Sequence, residues 1–169
     1  MSKDEQAVST SADLQTVLLR HTEAGNVLVV SGQIEDLLEK LLLTRGRAIS
    51  NKLAKRIFAG MGPLNSLSSK IEIAYLFELI DQRTFDDLLL IKDIRNRFAH
   101  TTNYAYFSNE VIANKCKSLT TWKAGDDPQH CFYLRTLELI DLLRNRMDVF
   151  LYAKALQEEP SVQLDDGEH

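Results

Sequence analysis

The amino-acid sequence predicts an all-α fold, a bundle of four main helices with shorter additions, on three observations. Apolar residues recur at helical spacing over residues 26–43, 66–79, 82–98 and 132–154. No segment of strand length alternates apolar and polar residues between hairpin turns. Capping residues and Gly or Pro turns punctuate the periodic segments.

Residues 1–10 are polar and read as a flexible N-terminus. Ser9 or Ser11 then caps a first helix carrying Leu14, Val17, Leu18 and His21, with Gly25 as a break or a point of close packing. Residues 26–43 form a long helix with Val27, Val30, Ile34, Leu37, Leu38, Leu41 and Leu42 on its apolar side, stopped at Arg45-Gly46-Arg47. Ser50 or Asn51 opens a short helix through Leu53, Ile57 and Phe58, followed by a turn at Gly60-Met61-Gly62-Pro63-Leu64. Asn65 or Ser66 caps the next helix, through Leu67, Ile71, Ala74, Tyr75 and Leu79. Asp81 starts a helix carrying Leu88, Ile91, Ile94 and Phe98, and an irregular connection follows over residues 101–108. A helix over residues 109–119, a polar loop over residues 120–130 around Gly125-Asp126-Asp127-Pro128, and a last long helix over residues 131–155 complete the body. The organisation is one domain, residues 11–156, followed by an acidic, disordered tail over residues 157–169.

The hydrophobic share of 44% and charged share of 26% are those of an ordinary globular protein. No apolar run has the length of a membrane helix, and MSKDEQAVSTSADLQ has no signal core, so a cytoplasmic protein is expected. Cys116 and Cys131 lack a paired Cys-x-x-Cys grouping and read as reduced thiols, a disulfide between them being the less favoured alternative. Of the net charge of −4, residues 157–169 carry −5 and residues 1–156 carry +1, so neither an acidic nor a basic partner is excluded.

Many chemistries have no support. There is no Gly-rich phosphate loop and no His-Glu-x-x-His pair, and His21, His100, His130 and His169 are scattered. No metal site and no cofactor are expected. Basic residues gather in Arg45, Arg47, Lys52, Lys55 and Arg56, either as a solvated face with helix-end charges or as a patch for phosphates or an acidic partner. No helix-turn-helix signature accompanies them.

The most telling stretch is Arg95-Asn96-Arg97-Phe98-Ala99-His100. On an ideal helix Ile91, Ile94 and Phe98 share one side, Arg95 falls at its margin, and Asn96 and His100 point away. An arginine beside an apolar stripe needs a carboxylate, carbonyls or a partner surface, and Glu23, Glu35 and Asp36 are candidate carboxylates. Arg forks onto phosphate and His titrates near neutrality, so the pair suits phosphate chemistry. Their five-residue spacing sets them about 140° apart, so they converge only if the helix frays near Ala99 or two subunits face each other. The alternative is structural, with Arg95 in a buried ion pair and His100 as a helix cap.

Residues 62–100, GPLNSLSSKIEIAYLFELIDQRTFDDLLLIKDIRNRFAH, resemble the signature region of the mannitol operon repressor family. The likeness runs through a Gly62-Pro63-Leu64 turn, then Ser66, Ser69, Lys70, Ile71, Ala74 and Tyr75, then Ile91, Ile94, Arg95, Asn96, Phe98, Ala99 and His100. Glu23-Ala24-Gly25-Asn26 is similar, more weakly, to that family's turn before its long helix. The resemblance implies a bacterial transcriptional regulator of carbohydrate use, with a phosphotransferase carrier protein as a partner. The near-neutral body, the acidic tail and the missing recognition motif point to action through protein association, or weak nucleic-acid contact, rather than a dedicated DNA-reading helix. Arg95-Asn96-x-x-x-His100 also resembles the R-N-x-x-x-H motif of HEPN domains, helical bundles that are often dimeric. That likeness implies a homodimer and, as the alternative function, a metal-independent endoribonuclease (toxin or RNA-processing) or its inactive descendant. Arg95, Asn96 and His100 would then be catalytic.

Overall fold

The protein is described by a computed structural model, which covers residues 3–100 and 105–158, with side chains over 23–100 and 105–156. Six helices and no strand occur among these residues: α1 Lys3–Arg45, α2 Asn51–Phe58, α3 Leu67–Leu76, α4 Gln82–His100, α5 Glu110–Lys117 and α6 Pro128–Glu158. The all-α bundle expected from the spacing is therefore what forms.

α1 is one rod. It starts before Ser9 and Ser11, which do not cap it, and it crosses Gly25 without a break. A Cβ on Gly25 would meet nothing within 4 Å, so this glycine marks neither a break nor a close approach. A single glycine costs a helix about 1 kcal/mol, which the burial of Val27, Ile34, Leu38 and Leu41 outweighs. Residues 159–169, most of the expected tail, and 101–104, part of the expected connection, lie outside the described residues.

The short elements follow their caps. Ser50 Oγ accepts from Leu53 N–H at 3.3 Å to open α2, and Ser66 Oγ accepts from Ser69 N–H at 3.1 Å to open α3. Between them Gly62 is required by space: a Cβ there would stand 2.4 Å from the Ile57 carbonyl oxygen. Asp81 accepts from Thr84 N–H at 2.8 Å ahead of α4, and Asn109 caps α5. The Asp81 carboxyl is held below its ordinary value chiefly by that backbone hydrogen bond.

Two boundaries depart from expectation. α3 stops at Leu76 rather than at Leu79, in a Schellman turn: Leu79 N–H donates to Ala74 O at 2.8 Å and Glu78 N–H to Tyr75 O at 2.9 Å. Glu78 takes the left-handed position at φ 55, where glycine is usual, so the sequence carries no stop signal there. α6 begins at Pro128, inside the expected loop, because proline is suited to the first helical position and Asp127 Oδ2 accepts from His130 N–H at 2.9 Å.

α1 and α6 run parallel. Glu23 and Asn26 of α1 lie near Tyr133 of α6, and the Arg45 guanidinium stacks on the Phe150 ring at 5.2 Å. α4 runs against both, from Asp81 beside Arg146 at one end to Phe98 at the other. There Phe98, Phe107, Phe132 and Tyr133 form a ring cluster with neighbouring centroids 5.1–5.8 Å apart, which anchors the end of α4.

Two buried charges stitch the helices. Lys70 of α3 reaches Glu35 at 3.0 Å and Glu39 at 3.2 Å on α1. Asp87 of α4, 1% exposed, takes Arg135 of α6 at 2.7 Å and both the backbone N–H and the hydroxyl of Thr120. Cys116 and Cys131 are both free and buried, and burial pushes the Cys116 thiol up to about 12. No helix among the described residues is long and apolar enough to cross a membrane.

Candidate functional site

The end of α4 presents the residues of the RNRFAH stretch in directions that the burial of Ile91, Ile94 and Phe98 dictates. With that stripe fixed in the core, Asp93, Asn96, Arg97 and His100 fall on one outward arc. They line a cleft of about 390 Å³ with Lys115 of α5. His100, the last residue of α4, is exposed and makes no hydrogen bond with another described residue.

Arg95 is not in that lining. It is half-buried, and its Nη1 donates to Asn96 Oδ1 at 3.1 Å. The expected buried ion pair is absent among the described residues, because its candidate carboxylates lie elsewhere or are already engaged. Glu35 belongs to Lys70, and Glu23 accepts from Phe107 N–H at 3.2 Å. Asp36 makes no ion pair among the described residues, so Arg95 is satisfied by its neighbour amide instead.

Within the cleft, Lys115 Nζ stands 2.9 Å from Asp93 Oδ2, and Lys92 is 3.4 Å from Asp93 Oδ1. The Lys115 hydrogen bond leads in holding the Asp93 carboxyl below its ordinary value. The cleft is thus a polar recess holding a closed lysine–carboxylate pair beside an open imidazole. Arg97 belongs to it, and arc arithmetic along α4 would have found Arg97 and Asp93. Lys115 comes from another helix and leaves no local signal.

The five expected patch residues lie at the opposite end of the bundle. Arg45, Arg47, Lys52, Lys55 and Arg56 are all exposed, and none has a carboxylate at ion-pair distance among the described residues. Lys52, Lys55 and Arg56 share one face of α2, while Phe58 turns into the protein. Arg45 and Arg47 instead line an apolar groove of about 340 Å³ between the ends of α1, α2 and α3. A wider groove of about 850 Å³ near the α3–α4 turn, lined by Tyr75, Ile80, Phe85 and Arg146, contains none of these groups. Among the described residues no His, Cys, Asp or Glu cluster is arranged to hold a metal.

Compared with known proteins, the chain matches no family model, no curated protein and no solved structure.

Proposed function

We propose that this chain is a cytoplasmic regulator of the mannitol-operon-repressor type, built on a HEPN-like bundle and acting through protein association rather than a dedicated DNA-reading helix. The observation that supports it best is the arrangement at the end of α4. Cleavage through a ribose 2′-OH needs a cation on the phosphate and a titrating imidazole around one reacting centre. Here Arg95 is turned onto Asn96 outside the cleft, and inside it Lys115 already holds Asp93 beside His100. The arginine and the imidazole of one chain thus point to different surroundings, which favours association over cleavage, and five exposed cations offer a face for a partner. An acidic surface, such as that of a phosphotransferase carrier protein, is the partner this reading assigns.

The second reading is the metal-independent endoribonuclease, favoured by one feature: Asn96, Arg97 and His100 open on one polar recess. A second copy facing it across a two-fold axis would have to supply the arginine. RNA cleavage in EDTA separates the two. With wild type and His100→Ala compared at matched folded fraction, the regulator gives equal background in both. Cleavage by wild type that the variant loses would overturn it.

A further inference from the structure

The groove between the ends of α1, α2 and α3 carries one sign of charge. Its lining is nine apolar side chains, Gly46, and the two arginines Arg45 and Arg47, with no carboxylate, amide or hydroxyl side chain among them. The wider groove near the α3–α4 turn instead sets Glu72, Glu78 and Asp81 beside Arg146, and a recess along α6 sets Glu138 and Asp141 beside the same arginine. The sequence explains the difference. Residues 40–71 contain seven Lys and Arg and no Asp or Glu, and the buried one of the seven, Lys70, is already held by Glu35 and Glu39.

The end of α1 builds the rim. Gly46 N–H donates to Leu42 O at 2.9 Å, which closes the last turn and leaves one arginine on either side of the glycine. Arg45 is braced there, with its guanidinium 5.2 Å from the centre of the Phe150 ring. Phe58, the buried residue of α2, and Leu79, 2% exposed, form the floor. Leu43, Ile57 and Leu64 are half-buried walls, and Phe77, 64% exposed, is the lip. At about 340 Å³ the groove falls within the roughly 300–1,000 Å³ of small-molecule sites. At about 30 Å³ per heavy atom, the share of one water in the liquid, it holds on the order of ten. Two cations at the rim with no acid beside them suit an occupant with an anionic end. Apolar walls suit a body without hydrogen-bonding groups, since each such group would be desolvated without a partner.

We propose that this groove binds a small amphiphilic acid, an apolar body of about ten carbons ending in a carboxylate or a phosphate monoester. The anionic end lies between Arg45 and Arg47, whose forked guanidinium groups accept either head, and the body lies over Phe58 and Leu79 beneath Phe77. The binding does not rest on the regulatory reading. Under that reading the acid is an effector, because it neutralises two of the five exposed cations offered to a partner.

The test is titration of the full chain, followed by amide NMR, with decanoate, decyl phosphate, 1-decanol, decyltrimethylammonium and acetate. Saturable one-to-one binding of decanoate or decyl phosphate is expected, with shifts centred on residues 42–49, 57–64 and 77–79, and the tighter of the two identifies the head. Decanol should bind the same residues about fivefold more weakly than the acid, the scale of an exposed ion pair. Each methylene removed from the acid should weaken it about fourfold. Acetate and the cationic amphiphile should not bind there. Arg45→Gln with Arg47→Gln should bring the acid down to the level of decanol, and Phe77→Ala should weaken acid and alcohol alike. These variants change exposed side chains, so their remaining signals should match wild type. No saturable binding of either acid, equal binding of decyltrimethylammonium, or a preference for the acid that survives the arginine substitutions would overturn the proposal. Groove signals that move with protein concentration in the absence of ligand would assign the surface to a second copy and overturn it too.

Discussion

Asp87 is a side chain on which two helices and a loop converge, and its removal should be felt across them. Asp87→Ala leaves the Arg135 guanidinium, 8% exposed, with only Glu138 at 2.9 Å and frees the Thr120 N–H, so a loss of about 2–3 kcal/mol in denaturant unfolding is expected. Arg95 should be milder. With no buried carboxylate to strand, Arg95→Ala should cost about 1 kcal/mol or less, and His100→Ala should leave stability unchanged within error. The directions of these two side chains were legible from the apolar stripe of α4 alone. Arg95's partner was not, because helical arithmetic says where a residue points and nothing of what waits there. The Asp87–Arg135 and Lys70–Glu35 pairs were hidden for the same reason: each joins residues 35 or more positions apart. Cys116 adds a pH dependence. Its folded value near 12 lies above the ordinary 9.0, so the unfolded chain loses that proton first. Stability should therefore be full below pH 9.0 and fall as pH rises toward 12, with the fall reduced in Cys116→Ala.

Caps made most of the elements readable, and their absence accounts for the errors. Ser50, Ser66, Asp81 and Asn109 each accept from the first turn of a helix, a short-range bond that one residue type announces. The end of α3 has no such herald, since a glutamate stands where a glycine would advertise the turn. The left-handed backbone of Glu78 costs on the order of 1 kcal/mol. Glu78→Gly should relieve it, with a net gain of up to about 1 kcal/mol in thermal unfolding after the added freedom of the unfolded chain is counted. No gain, or a loss, would mean that the Schellman turn carries no strain. Gly62 is the converse case. Gly62→Ala drives a methyl onto the carbonyls of Arg56 and Ile57, and a loss of about 1–3 kcal/mol is expected as the end of α2 is pushed aside. Pro128 was read into the polar loop with Gly125, Asp126 and Asp127, but at the first helical position it begins α6.

At the scale of the whole molecule the two candidate surfaces sit at opposite ends of one bundle, the His100 cleft at one and the cationic α2 face at the other. Self-association through the former would leave the latter open. Sedimentation at micromolar concentration should give a dimer under the HEPN-like proposal, whereas a clean monomer would remove any composite site across a two-fold axis. The helical class was legible in the sequence; the separation of the two surfaces and the parallel course of α1 and α6 were not, because periodicity carries no information about which helices meet. That pairing joins Asn26 to Tyr133 and Arg45 to Phe150, contacts roughly a hundred residues apart along the chain. A ribosome adding about 5–20 residues per second would deliver Phe150 about 5–20 s after Arg45. Until then Val27, Ile34, Leu38 and Leu41 have no α6 to cover them, so the first helix made is among the last to be sealed. A nascent chain arrested before residue 128 should stay protease-sensitive in α1, and one released beyond it should close.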